Sequence, residues 1–397
     1  MTETYDCVVV GGGPSGATAA ADLAKAGRSV LLLDRGGRIK PCGGAIPPRL
    51  IADFAIPEHL IVGRAELARM IAPSQRVVDM PVGTKGSGAF VGMVDRETFD
   101  EFLRVRAADH GVERRTATFL RIDRAADGAA MVIFEDERGG AERSVRARSV
   151  IGADGARSRV AKGIFPDAAP MPCVFAYHEV IRSPAPADPS FDRSRCDVFY
   201  QGMFSPDFYA WVFPHGDTAS VGVGSANKGY ALRDSVERLR SHVGLAGCDT
   251  IRREGAPIPL KPRSKWDNGR DVIVTGDAAG VVAPASGEGI YYAMVSGRHA
   301  AEAVEGLLVT GKVSALRLAR KRFMRAHGRI FWILGVMQYF WYRNDRRRER
   351  FVTMCDDRDV QQLIWPAYMT KRLVYARPLA YARIFAKDMR HLLQTAA

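Results

Sequence analysis

No two cysteines lie close enough along this chain to clamp a metal ion: Cys7, Cys42, Cys173, Cys196, Cys248 and Cys355 are scattered, and none forms a C-x-x-C pair. That spacing argues against zinc, iron–sulfur clusters and a disulfide scaffold, and predicts a reducing compartment and no metal site. Long apolar runs are missing too. The longest in the C-terminal region, Ile330 to Tyr342, has thirteen residues, short of the ~20 that cross a bilayer as a helix. No basic stretch precedes the first apolar run, which breaks into glycines; it reads as a strand, not a targeting peptide, and a cytoplasmic protein is expected. Repeats and low-complexity tracts are also lacking. An acidic excess is absent as well: 57 Lys and Arg face 44 Asp and Glu, for a net charge of +13. The imbalance is local. Residues 311–397 hold 19 basic and 6 acidic side chains, and residues 1–310 hold 38 of each. Such asymmetry points to an anionic surface, either nucleic acid or the cytoplasmic leaflet of a membrane. No base-reading module accompanies the charge, so nucleic acid is set aside.

What the chain does have is glycine in the right places. Gly11-Gly12-Gly13-Pro14-Ser15-Gly16 lies between the β-type run Cys7-Val8-Val9-Val10 and an alanine-rich helical run, Ala17 to Ala26. That context lets the backbone of Gly11, Gly13, Ser15 and Gly16 pass under a pyrophosphate facing the positive end of a helix. A second strand, Ser29 to Leu33, leads into Asp34-Arg35, where a carboxylate eighteen residues after Gly16 suits an adenosine ribose. Much later, Gly276-Asp277-Ala278-Ala279-Gly280 follows another strand, Val272 to Thr275. Asp277 there suits the ribityl hydroxyls of a flavin dinucleotide, so FAD is the expected cofactor. Next comes Pro284-Ala285-Ser286-Gly287-Glu288-Gly289-Ile290, opening a helix over Ile290 to Leu308. Its positive end would stabilise charge gained by the flavin ring on reduction. Asp154, in Asp154-Gly155-Ala156-Arg157-Ser158, is a third strand-end acid of the same type.

Between these elements the pattern predicts a hairpin over Arg69 to Val82 and a helix over Arg96 to His110. Short strands follow at Thr118–Ile122, Ala130–Glu135 and Arg143–Ala147, then a separate buried strand at Val150-Ile151, and a strand-rich, proline-broken region over 171–260. The expected architecture is α/β: a Rossmann-like FAD-binding domain assembled from 1–68, 94–170 and 271–310. An antiparallel-sheet substrate domain is inserted at 69–93 and 171–270, and a basic, amphipathic helical region occupies 311–397.

These elements resemble the FAD-dependent oxidoreductases built like aromatic hydroxylases, over residues 1–310. Pro41-Cys42-Gly43-Gly44-Ala45 and Tyr209-Ala210-Trp211-Val212-Phe213-Pro214 resemble motifs of the geranylgeranyl reductases. The wording of Val94 to Asp100 is closest to the branch acting in chlorophyll and bacteriochlorophyll synthesis. The resemblance implies an NADPH-dependent reduction of isolated double bonds in a geranylgeranyl chain, free or esterified to pigment, to phytyl. It implies that Cys42, Gly43, Gly44 and Ala45 lie near the flavin and that Arg96 lies near the cofactor's phosphates. It also implies three successive reductions. Tyr209, Trp211 and Phe213 alternate, so all three face one way and could wall a hydrocarbon tunnel or form ordinary sheet core. An unconjugated alkene would need a proton donor as well as hydride, and Cys42 and Glu288 are the candidates. No nucleotide fingerprint marks an NADPH site. The Phe331-to-Tyr342 aromatics, flanked by Arg329 and Arg343 to Arg350, suit the headgroup zone of a photosynthetic membrane, giving peripheral association. Two alternatives share the fingerprints: an FAD-dependent monooxygenase of a hydrophobic substrate, and a noncatalytic, FAD-stabilised membrane assembly factor.

Overall fold

The structure is a computed structural model that describes residues 2–37, 39–83, 87–137, 140–186, 188–189 and 191–371. The expected helical region therefore extends past them, and 372–397 lie outside the described residues. The chain divides into two compact units. One comprises Met1–Lys40, Arg96–Cys173 and Pro257–Gly335, and the other Pro41–Asp95, Val174–Ala256 and Val336–Ala397.

The first unit is organised by a sheet with a parallel layer. The strands Thr4–Val10 and Val30–Asp34 pair parallel, the latter pairs with the start of Glu113–Arg124, and Glu142–Gly152 joins Thr4–Val10 to Val272–Val274. Cys7 to Val10 are 0–3 % exposed, as a continuous apolar run must be when both sheet faces are covered. The remaining lengths of Glu113–Arg124 and Glu142–Gly152 bend away and pair antiparallel with Ala130–Asp136 as a three-stranded meander. The predicted strands Arg143–Ala147 and Val150-Ile151 are in fact one strand, Glu142–Gly152, whose first half serves the meander and whose second half enters the parallel layer. Two helices, Pro14–Lys25 and Ile290–Thr310, pack closely: a Cβ on Gly297 would lie 2.3 Å from the Ser15 carbonyl oxygen.

The second unit holds a seven-stranded sheet in the order Thr250–Pro259, Cys173–Arg182, Thr218–Ser225, Ala210–His215, Arg195–Phe199, Leu67–Ile71, Val77–Pro81. The last two strands are the predicted hairpin. One sheet face buries Val212, Val221 and Val223 with Val236 and Leu239 of a helix, Leu232–His242. That helix was not anticipated within a region read as strands. Its Val236–Leu239 spacing is helical, but it is masked by a high charge content. A small sheet of Ala45–Ile46, Val91–Met93 and Gly63–Ala65 explains why the division between units falls at Lys40 rather than near residue 68.

The helix pair gives a direct test of the first unit. Gly297→Ala forces a methyl onto the Ser15 carbonyl, and a loss of ~1–3 kcal/mol, the usual cost of overpacking a tight core contact, is expected in chemical denaturation.

Candidate functional site

In the first unit the segments that follow Thr4–Val10, Val30–Asp34, Glu142–Gly152 and Val272–Val274 all leave the same, carboxyl edge of the parallel strands, where open α/β sheets bind ligands. After Val10 the backbone turns at Gly11, with φ +103°; a Cβ there would lie 2.5 Å from the Ala153 carbonyl, so the loop bearing Asp154 sits directly against the turn. Pro14 opens the helix Pro14–Lys25, whose N-terminus has no side-chain cap, and the space beside Gly13 is open. Uncapped N–H groups over open space are what a pyrophosphate requires. These residues fit a dinucleotide.

The acids are less alike than their sequence context suggests. Asp34 is held by the Gly12 N–H and by Arg104, whose Nη1 lies 3.3 Å from its carboxylate; burial pushes its carboxyl up and these partners offset only part of that. Arg104, two helical turns beyond Arg96, was missed; Arg35 beside Asp34 is exposed. Asp154 spends its carboxylate on the helix Arg159–Ile164, accepting from Ser158 Oγ at 2.5 Å, Arg159 N at 2.6 Å and Val160 N at 3.1 Å. Only its backbone remains for a nucleotide. Ser15 likewise gives its hydroxyl to Thr275, at 3.0 Å, joining the first and last segments of the unit. Arg96 is buried in a two-pronged pair with Asp100, at 2.9 and 2.7 Å.

Asp277 is 9 % exposed and lies 2.5 Å from Lys40 Nζ. Lys40 stands two residues before Cys42, a proximity in sequence that could have drawn notice. Downstream, Ala283 N–Glu288 O and Gly287 N–Ala283 O bonds, both 2.9 Å, close the turn carrying Pro284, Gly287, Glu288 and Gly289. It delivers Ile290 as the start of a helix without a side-chain cap. The positive end of that helix dipole suits an anionic ring edge. Glu288 lies in the first unit, close enough to Tyr292 to help push its phenol up, after burial.

The second unit contains Cys42, Gly43, Gly44 and Ala45 together with Tyr209, Trp211 and Phe213. The three rings form one row, with centroids 6.0 and 6.1 Å apart, on the face opposite Val212. The Cys42 loop lies against that row: a Cβ on Gly43 would stand 3.2 Å from Phe213 and 3.6 Å from Trp211 Nε1. Gly44, at φ +69°, would meet His215 Nε2 and the Val94 carbonyl, both at 2.5 Å. The Gly44 N–H donates to Cys42 Sγ at 3.4 Å.

Sequence reasoning also missed what stands behind the row. The Trp211 indole N–H donates to Ser220 Oγ at 3.1 Å, Ser220 Oγ is 3.0 Å from His178 Nδ1, and His178 Nε2 is 3.1 Å from Glu254. Burial pushes the Glu254 carboxyl up, but His178 and Arg252, 2.7 Å away, outweigh it and hold it below the usual range. Trp211 fits because Gly222 opposes it, where a Cβ would lie 2.2 Å from the indole. His215 extends the row's alternation by one step, the only sequence signal it offered. Its Nδ1 lies 3.1 Å from the Phe213 carbonyl, and burial nevertheless pushes its pKa down to about 4.

Residues 5–175 match the family model described as pyridine nucleotide-disulphide oxidoreductase. The chain is 53 % identical to a geranylgeranyl diphosphate reductase from Rhodobacter capsulatus over 98 % of this chain and 97 % of that one. It is 36 % identical to a chloroplastic geranylgeranyl diphosphate reductase from Oryza sativa, over 98 % and 86 %. Its fold matches a geranylgeranyl bacteriochlorophyll reductase-like protein from Thermoplasma acidophilum, with a TM-score of 0.83, 22 % identity and 99 % and 98 % coverage.

A pH dependence follows from His215. Its folded-state pKa, about 4, lies below the ordinary 6.5, so the neutral ring's contribution is complete above pH 6.5 and is lost as pH falls toward 4. As the ring keeps some solvent contact, the loss is up to about 2 kcal/mol rather than the full shift. Denaturation of wild type and His215→Gln between those pH values checks it: the wild type should lose that much more stability than the variant.

Proposed function

The chain belongs to the geranylgeranyl reductase family of FAD-dependent oxidoreductases, and from that premise we propose that it reduces isolated double bonds of a geranylgeranyl chain toward phytyl, with NADPH as reductant. The observation that carries this is identity to a geranylgeranyl diphosphate reductase, 53 %, maintained over 98 % of the chain. The cofactor-binding residues are the turn Gly11–Gly16, Asp34, the Asp154 backbone, Gly276-Asp277 and the helix start at Ile290. FAD bound there, once reduced by NADPH, would supply the hydride that the alkene accepts.

The protein's own residues then act in three ways. Trp211 and Phe213 keep the alkene dry beside the Cys42 loop, because water would quench a developing tertiary cation and screen the groups around it. Gly43 and Gly44, lacking a Cβ, let the Cys42 loop pack directly against the aromatic strand. Cys42 and Glu288 are the proton donors of this proposal. An unconjugated alkene has no carbonyl to absorb charge, so the proton leads or keeps pace with hydride.

The substrate also dictates where the enzyme works. Transfer of a C20 prenyl chain from water is worth on the order of 15 kcal/mol, so the chain resides in a bilayer. Among the described residues no helix is long and apolar enough to cross a membrane. The helix Arg317–Trp341 instead exposes Trp332 (70 %), Tyr339 (58 %) and Ile333 (42 %), with the Arg343 guanidinium 5.3 Å from the Tyr339 ring centroid. Phe331, Trp341 and Tyr342, counted with the membrane-facing aromatics from sequence, are buried and belong to the core. The remaining aromatics and arginines suit peripheral attachment to the anionic leaflet of a photosynthetic membrane.

Two measurements test this. Flavin-loaded protein incubated with NADPH and geranylgeranyl diphosphate or geranylgeranylated pigment, without air, should give products heavier by successive pairs of hydrogens. Oxygen-dependent hydroxylation would replace the reductase reading with a monooxygenase, and an inert lipid with intact FAD would favour an assembly factor. In the same assay Cys42→Ala should slow alkene reduction more than NADPH consumption; equal slowing removes the thiol from the chemistry. Independently, Trp332→Ala with Tyr339→Ala should weaken flotation with anionic vesicles by about tenfold, the scale of two lost interfacial aromatic contacts.

A further inference from the structure

The row of Tyr209, Trp211 and Phe213 has two unlike ends. At one end Phe213 is half-buried and lies against the Cys42 loop, where a Cβ on Gly43 would stand 3.2 Å from its ring. At the other end the row runs into a wall. The Tyr209 ring stacks on Phe208 at 4.3 Å and meets Tyr200 at 5.9 Å, and both of those rings are buried. Tyr200 is backed in turn by Tyr342 and by Phe351 of the helix Asp345–Cys355, with centroids 5.3 and 5.0 Å away. Charged groups fix this backing. Arg348, fully buried, bonds Asp345 at 2.7 Å and donates to the Tyr342 carbonyl at 2.6 Å, while the Gly202 N–H donates to Asp345 at 2.7 Å. Phe208 is held from its own loop: its N–H donates to Ser205 Oγ at 2.8 Å, and that hydroxyl donates to the Gly224 carbonyl at 2.7 Å. Close-packed rings anchored in this way do not yield to a guest without strain.

We propose that this wall is a ruler: it stops the tail of the prenyl chain at Tyr209 and thereby decides which double bond is the last to reach the Cys42 loop. The proposal rests on the reading above that the alkene reacts beside that loop, and it lays the rest of the chain along the row. Ring centroids along the row are 6.1 and 6.0 Å apart. At the ~1.2 Å per bond of an extended chain, the four-bond isoprene repeat advances about 5 Å, so the row takes two repeats beyond the reacting bond and not three. Counted from the tail, the first three double bonds can therefore be drawn to the loop, and the fourth cannot. Solvation sets the direction. A diphosphate cannot be buried among apolar rings, so the polar end of the substrate stays on the Phe213 side. A ruler that measures from the tail ignores how many repeats lie on the head side.

The test uses full-length, flavin-loaded protein with NADPH, without air, run to completion on geranylgeranyl diphosphate and on its C25 homologue, geranylfarnesyl diphosphate. Products are weighed and fragmented by mass spectrometry. Wild type should add three hydrogen pairs to each, leaving one double bond in the C20 chain and two in the C25 chain, all nearest the diphosphate. Sparing of the allylic bond alone would instead put four pairs on the C25 chain, and that count overturns the proposal. So does any other count from an enzyme that reduces the C20 chain, inertness to the C25 chain included. Tyr200→Ala and, from behind, Phe351→Ala remove rings of the wall and should make the four-pair C25 product the main one. A count that stays at three in both variants, folded and active, also overturns the ruler. The wild-type comparison needs no substitution and decides the matter even where a truncated wall fails to fold. A wild type that reduces neither chain sinks the reductase reading and the ruler with it, whereas an active reductase that puts four pairs on the C25 chain sinks the ruler alone.

Discussion

The packing of this protein depends on backbone approaching its neighbours more closely than a Cβ permits. In the first unit this happens where Gly11 meets Ala153, so that two strand-end loops converge on one edge of the parallel layer. In the second it happens where Gly43 and Gly44 meet the rings of the Ala210–His215 strand and where Gly222 accepts the Trp211 indole. A side chain at any of these points would push apart the groups that must act together. The close contacts also determine which polar groups stay available, because a backbone N–H not consumed by a cap or a neighbour is free to face a ligand.

The polar side chains divide the work accordingly. Asp154 and Ser15 turn inward, the first to cap a helix and the second to bond Thr275, and thereby hold in place the backbone that a dinucleotide would touch. Asp277 keeps its carboxylate beside Lys40, and Asp34 rests on Arg104 and on the Gly12 and Arg35 N–H groups. Both oxygens of Asp154, by contrast, are turned to the start of its own helix. The same economy holds behind the aromatic row. Ser220 Oγ accepts from the Trp211 indole N–H beside His178 Nδ1, so that N–H is not left buried and unbonded, which would cost ~1–3 kcal/mol.

The legible part of this fold was the part written in local pattern. The glycine turn between an apolar strand and an alanine-rich helix, the acids at strand ends and the hairpin of Leu67–Ile71 with Val77–Pro81 all carry their meaning within short stretches of chain. What escaped was set by distance along the chain. Glu142–Gly152 reads as two strands because its halves face different partners, and the helix Leu232–His242 is polar over most of its surface. Lys40, Arg104, His178, Ser220 and Glu254 are ordinary polar residues until folding places them beside Asp277, Asp34 and Trp211. His215 stood nearest to recognition, one alternation beyond Phe213, but a lone histidine after a proline carries no chemistry until Gly44 is seen to lack the atom that would displace it.

The aromatic residues teach the opposite lesson, since composition alone overcounted them. Phe331 and Trp341 look equivalent to Trp332 and Tyr339 in sequence, but helical spacing turns the former inward and the latter outward. The inward rings serve the scaffold. Phe331 joins Tyr292 and Phe323, with ring centroids 4.9 and 5.5 Å away, beneath the helix Ile290–Thr310. A single helix thus supports the nucleotide-binding unit with one face and presents an apolar, arginine-flanked face to its surroundings. Trp332 and Ile333 are exposed on the same helix whose Phe331 packs on Tyr292, so helical spacing alone assigns neighbouring apolar residues to scaffold or to surface.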